Sequence, residues 1–200
     1  MLIIRPYASY LKNQTCLKRY NRFVKQIYTI GHSTRTTEEF IDLLKSHKIT
    51  QLVDIRTIPK SRHNPQFGQD ELIKSLEEAE IEYVYLKDLG GLRPTVKNSI
   101  NDAWHNKSFR NYADYMQTDE FLNGLNELIK LSKNKTTAIM CAEAVPWRCH
   151  RSLVSDALIV RSIPVDEIIG TGNAREHKLT SFAVVDGKKI IYPKSALEES

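Results

Sequence analysis

Long apolar runs, cysteine and internal repetition are what this chain has least of. No apolar stretch approaches the roughly 20 residues that cross a bilayer, and no apolar segment with a small-residue cleavage site opens the sequence. A membrane role is thereby excluded, and a cytoplasmic location is expected. Three cysteines in 200 residues, an odd number with Cys16 set in a separate basic segment, do not make the disulfide framework of a small secreted domain. Reduced thiols are expected instead. A hydrophobic content of 41% with 26% charged residues describes an ordinary globular chain, long enough for one well-buried core.

Acidic residues are absent from one long stretch. Residues 1–25 carry Arg5, Lys12, Lys18, Arg19, Arg22 and Lys25 and no carboxylate; without these six, 23 basic residues face 24 acidic ones. The net charge of +5 is therefore a property of a basic N-terminal extension. A solvated tail is the reading favoured over a nucleic-acid arm or a partner-docking helix. Organelle targeting fits poorly, because Pro6 follows Leu2, Ile3 and Ile4 where an amphipathic helix would be needed.

From Gln26 onward apolar runs alternate with helical patterns, the signature of βαβ units. Strands are predicted over 27–30, 51–55, 82–86, 137–141 and 164–169. Helices are predicted from a Thr36 or Thr37 cap through Leu44, over 69–79, within 109–131, and as an amphipathic helix from Pro146 to about Val160. A polar stretch from Gly90-Gly91 to about Lys107 is expected to act as a lid. Asp186-Gly187, between runs at 182–185 and 189–192, predicts a type I′ hairpin turn. The expected fold is α/β: one domain over 26–195 with a mostly parallel open sheet flanked by helices and a C-terminal β-hairpin.

The twelve residues from Met140 to Arg151 concentrate Cys141, Glu143, Arg148, Cys149, His150 and Arg151 just past the fourth strand. Three other polar clusters follow the first three strands: Gly31-His32-Ser33-Thr34-Arg35; Asp54-Ile55-Arg56 with the acid-free loop carrying Lys60, Ser61, Arg62, His63 and Asn64; and Leu89-Gly90-Gly91-Leu92-Arg93. If the strands are parallel, all four lie on one rim, where ligands of open α/β sheets bind. Such a rim of arginines, lysines and glycine amides suits a phosphate or another anion.

Cys141 is the candidate nucleophile, its acidity raised by Arg148, Arg151 and a helix N-terminus; a buried core cysteine is the alternative. Its spacing to Arg148 is one residue longer than the Cys-x5-Arg of tyrosine phosphatases. Cys149, on the apolar face with Leu153 and Ala157, is expected to be buried and inert. Glu143 reads as a general acid or base, or as a partner of Arg148 or Arg151 shaping the turn. His150 reads as an anion ligand or proton relay, or as a packing residue. His32 has the stronger catalytic case, and Asp54 is a ligand, a base or a buttress for Arg56. Zinc on Cys141, Cys149, His150 and His32 can be drawn, but the Cys-x7-Cys-His spacing is unlike short-knuckle patterns, and neither metal nor cofactor is expected.

Tyr28-Thr29-Ile30-Gly31-His32-Ser33, Asp54-Ile55-Arg56 with Pro59, Ser61, Asn64, Pro65 and Phe67, Leu89-Gly90-Gly91, Tyr112 with Met116, Met140-Cys141-Ala142-Glu143 with Pro146, Cys149, His150 and Arg151, and the closing His177-Leu179-Thr180 and Ile191-Tyr192-Pro193 resemble the DUF488 family over residues 28–193. Ile55 stands where valine is commoner, and the first 25 residues lie outside the pattern. The resemblance implies an α/β domain with a shared polar site and little about its reaction, since the family is named for its unknown function.

The expected protein is an enzyme, of hydrolase or nucleotide- and nucleic-acid-modifying type, acting on a phosphate-bearing, nucleotide or nucleic-acid substrate. Cys141, Glu143, His32 and Asp54 are the catalytic candidates. Ser33, Arg56, Ser61, Arg62, Gly90, Gly91, Arg148, His150 and Arg151 are the substrate-binding ones. A non-catalytic anion, nucleotide or nucleic-acid binding module is the alternative. The partner is an anionic small molecule or nucleic acid and not a membrane; the oligomeric state is left open.

Overall fold

Residues 25–195 are described by the structure, a computed structural model, so the extension expected over 1–25, Cys16 included, lies outside the described residues except for Lys25. Five strands run parallel: β1 (Ile27–Gly31), β2 (Gln51–Asp54), β3 (Glu82–Tyr85), β4 (Thr137–Cys141) and β5 (Val165–Ile168). A two-residue strand that periodicity does not reveal, β6 (Arg175–Glu176), pairs antiparallel with β5 and gives the order β3-β2-β4-β1-β5-β6. Ile27, Val53, Ile139 and Val165 feed one core, and Ile30, Leu52, Ala138 and Met140 feed the other. Central strands buried on both faces read as continuous apolar runs, which is why they stand out in the sequence.

Among the described residues five helices flank the sheet: α1 (Thr37–Ser46), α2 (Gln69–Glu78), α3 (Lys107–Tyr115), α4 (Asp119–Leu131) and α5 (Arg151–Ile159). The Thr36 hydroxyl accepts the Glu39 amide while the Glu39 carboxylate accepts the Thr36 amide, a capping box that starts α1 where the sequence indicated. Phe40, Leu43, Leu44, Leu72 and Leu76 place α1 and α2 on one face; Phe109, Phe121, Leu125, Leu153 and Ala157 place α3, α4 and α5 on the other. The chain therefore leaves β1 and β2 toward one face, and leaves β4, which lies between them, toward the opposite face. Diverging connections from adjacent parallel strands open a crevice at the strands' carboxyl ends.

Three expectations are corrected. Every residue of α5 from Arg151 to Leu158 is buried, so the helix is not amphipathic; it packs against β4, β5 and the C-terminal hairpin. That hairpin, β7 (Val184–Asp186) with β8 (Lys189–Ile191), pairs Asp186 with Lys189, leaving Gly187 and Lys188 as the turn. Of these two only Gly187 has positive φ, at 59°, whereas a type I′ turn needs it at both positions; one glycine at the first position is the type II′ pattern. The stretch expected as a lid is stitched to the body. Fully buried Asn101 donates to Asp114 and accepts from the Tyr192 amide, and the Ala103 amide donates to the Tyr192 carbonyl. Among the described residues no helix is long and apolar enough to cross a membrane.

Candidate functional site

The crevice is built by zipping the loop after β1 to the loop after β4. Gly31 stands opposite Cys141 in register, and the amides of His32 and Ser33 donate to the carbonyls of Cys141 and Ala142 at 3.0 and 2.9 Å. A Cβ on Gly31 would collide with the Glu143 carbonyl, so only glycine lets the two backbones approach this closely. Ser33 then turns through positive φ, 54°. The outcome is a cavity of about 300 Å³ whose wall includes His32, Cys141, Glu143, Arg148, Cys149 and His150. The histidine just after β1 and the cysteine that ends β4, 109 positions apart in the chain numbering, share that wall.

Both cysteines are free thiols and largely buried, and the His150 ring sits between them and the second strand's loop. His150 Nε2 lies 3.1 Å from the Ile55 carbonyl, which can only accept, so that nitrogen carries its proton. Nδ1 consequently faces the sulfurs, 3.7 Å from Cys149 Sγ and 3.9 Å from Cys141 Sγ. Tyr112 packs on the ring from one side, and the Gly91 backbone lies so close that a Cβ there would come within 2.5 Å of Nδ1.

Their surroundings push the two thiols in opposite directions. The hydrogen bond with Cys141 pushes the pKa of Cys149 well below its ordinary value, with Arg151 adding to the effect against the cost of burial. Arg151 Nε points at the Cys149 sulfur from 3.4 Å. Cys141 moves the other way: its hydrogen bond to Cys149, burial and the neighbouring negative charge raise its pKa well above normal. Cys149 is buried, as expected from the apolar face it shares with Leu153 and Ala157, and Cys141 is buried beside it.

His32 is poised differently. Nδ1–H donates to the Ser33 carbonyl at 2.8 Å, and the ring stacks on Phe67 with centroids 4.3 Å apart. Nε2 is buried without a hydrogen-bond partner, and the residue is only 2% exposed. Burial, aided by the positive charge of Arg56, pushes its pKa down to about 4 despite the Ser33 carbonyl, so the ring is neutral and Nε2 offers a lone pair at physiological pH.

The remaining candidates divide into those that line the cavity and those that hold it up. Arg56, Ser61, Gly91 and Arg148 line it. Asp54 does not: fully buried, it accepts from Arg56 Nε and Nη2 and from the Tyr83 hydroxyl, while Arg56 Nη1 reaches the Phe67 carbonyl. Arg151, also fully buried, donates to the Glu143 carbonyl at 2.6 Å and to Thr29, so the turn is shaped by the main chain of Glu143 and not by its carboxylate. Ser33, Arg62 and Gly90 lie off the wall, Arg62 on the exposed surface. Lys60, Thr57, Ile58 and Phe109 join the wall without having been candidates. Lys60 had a legible signal, being a cation in an acid-free loop. Phe109 had none, since it comes from a helix on the other side of the fold. The side chains of Lys60, Arg148 and Glu143 form no hydrogen bond or ion pair with other described residues, leaving two unpaired cations and one carboxylate at the mouth.

No curated protein and no solved structure matches the chain. One family does, from just after His32 to the penultimate residue of α5, a span that holds the cysteine pair, His150 and the cationic loop. Because that match, over residues 36–158, covers more than half of the chain, the protein belongs to the family described as a domain of unknown function, DUF488.

Proposed function

We propose that the protein is an enzyme that hydrolyses, or transfers a group from, a phosphate-bearing or other anionic substrate in this cavity, in the cytoplasm, where reducing conditions keep both thiols free. One observation supports the reading. The Cys141, Cys149 and His150 cluster and the partnerless Nε2 of His32 share a wall with the unpaired cations Lys60 and Arg148. Lys60 and Arg148 hold the negative charge, Arg148 able to grip it with two parallel donors. The cysteine and histidine cluster is the reacting centre, with the Cys149 sulfur, held beside Arg151 Nε, as its nucleophile. His32, already neutral, accepts a proton from water through Nε2 while Nδ1–H stays on Ser33. Glu143 is a second proton-handling group at the mouth. Asp54 and Arg151 act as positioning residues, through Arg56 and Cys149.

A screen of phosphate monoesters, nucleotides and short oligonucleotides tests this. Cys149→Ala, shown folded by circular dichroism, is expected to lower turnover of any hit by about 10³-fold or more, and Arg148→Ala to raise KM with little change in kcat. Equal turnover by Cys149→Ala and the native protein refutes the reading. Binding of a hit without turnover, lost in Lys60→Ala and Arg148→Ala, assigns the cavity to a non-catalytic anion-binding module.

A further inference from the structure

Cys141 Sγ, Cys149 Sγ and His150 Nδ1 lie within 4.8 Å of one another. We infer that these three atoms form one face of a tetrahedral site for a thiophilic divalent ion, zinc foremost, whose fourth position opens into the cavity.

The geometry fits without rearrangement of the ring. With Zn–S near 2.3 Å and Zn–N near 2.0–2.1 Å, tetrahedral angles put a sulfur and a nitrogen ligand about 3.6 Å apart. His150 Nδ1 is 3.7 and 3.9 Å from the two sulfurs. Metal-bound histidines characteristically donate their other nitrogen to a carbonyl, which fixes the tautomer and the ring plane. His150 does so through Nε2 to Ile55, leaving the Nδ1 lone pair on the sulfur side. The Gly91 backbone and the Tyr112 ring both pack against it. Arg151 adds a donor to the Cys149 sulfur, and because two thiolates cancel the charge of a divalent ion, the buried guanidinium faces a neutral centre.

A separate observation points to a ligand here. His32 lines the same wall, and its Nε2 is buried with no hydrogen-bond partner. A water or substrate oxygen on the fourth position would supply the missing donor. Three protein ligands with one open position are the pattern of catalytic zinc, whereas four closed ligands mark a structural ion. The cysteine spacing argues against the site only in sequence. The seven residues between Cys141 and Cys149 double back through the turn Pro146–Arg148, where the Cys149 amide donates to the Pro146 carbonyl.

This inference rests on the reading of the cluster as the reacting centre and specifies what the sulfur electron pairs are given to: the ion, which in turn binds the anion. Full-length protein, purified reduced and without chelator, is expected to carry about one equivalent of zinc by elemental analysis. Replacing it with Co²⁺ is expected to give a thiolate-to-cobalt charge-transfer band and the strong d–d bands of four-coordinate cobalt. Cys141→Ser, Cys149→Ser and His150→Ala should lose both signals while Cys16→Ser keeps them. Zinc should raise the thermal midpoint of the native protein and not that of a folded Cys141→Ser variant. Absence of a tetrahedral thiolate spectrum after Co²⁺ loading, or metal retained by both folded cysteine variants, overturns the proposal. Undiminished turnover by chelator-stripped protein overturns the metal site and leaves the enzyme standing. Stoichiometric metal on these ligands with no turnover in any screen does the reverse.

Discussion

Helix α5 carries two buried clusters of titratable groups, and they are built on opposite principles. Just before its first turn, Cys149 and His150 line the cavity, with fully buried Arg151 behind them. Further along, Asp156 sits in a network in which every oxygen and nitrogen is matched: it accepts from His177 Nε2, the Thr180 amide and the Tyr192 hydroxyl, while His177 Nδ1 donates to Glu167, which also accepts from Arg175. His177, with both nitrogens donating, is an imidazolium. Burial opposes its charge, but hydrogen bonds to Asp156 and Glu167 outweigh it and raise the pKa to about 9. His32 has one nitrogen satisfied and the other bare, and its pKa falls to about 4. Buried ionic groups are tolerated when fully matched. A group left open beside a cavity marks where a ligand supplies the missing partner.

The sharpest way to break this contrast is Asp156→Ala. It strips partners from His177, Tyr192 and Thr180 at once and should destabilise the fold by about 3–5 kcal/mol in urea unfolding. A loss under about 1 kcal/mol would place the network among those that add no stability. Next is the alkaline limb. His177 has a raised pKa in the folded state, so its contribution is complete below the unfolded value near 6.5 and is lost as pH rises through about 9. Unfolding free energy should drop across that window by on the order of 3 kcal/mol, and His177→Gln should flatten the limb.

His32 behaves in the opposite sense. Its folded pKa is depressed, so stability is complete above about 6.5 and declines as pH falls toward about 4. His32→Phe keeps the stack on Phe67 and should change neutral-pH stability by only about 1 kcal/mol while abolishing that acid limb. Turnover should fall about 10²–10⁴-fold; a variant as active as the native protein removes the histidine from the chemistry. The smallest structural effect is expected for exposed Arg148→Ala, within about 0.5 kcal/mol. Its signature is weaker anion binding with a flatter salt dependence, measured by titration calorimetry.

How much of this was readable beforehand follows from the range of each force. The capping box at Thr36 and Glu39 acts over three residues, and the apolar runs of β1, β2 and β4 act over four or five, so α1 and these strands could be placed within a residue or two, whereas the helix expected from Pro146 begins only at Arg151, after a separate turn. Parallel pairing then placed the loops bearing His32, Arg56, Gly91 and Cys141 on one rim. The type II′ turn and β6 escaped because each depends on one or two residues. The network around Asp156 escaped because His177 showed no spacing relation to Glu167, Asp156 or Tyr192.

Residue order alone determined the α/β class, the parallel sheet and the convergence of four polar loops, since hydrophobic period and the rule for parallel strand ends are local or topological. Tertiary structure decided that Arg151 meets the Cys149 sulfur, which arginine holds Asp54 and which meets solvent, and that His150 turns Nδ1 toward both cysteines. These depend on atoms such as the Ile55 carbonyl, 95 residues from His150, and Coulombic and hydrogen-bonding energies fall off with distance in space and not along the chain.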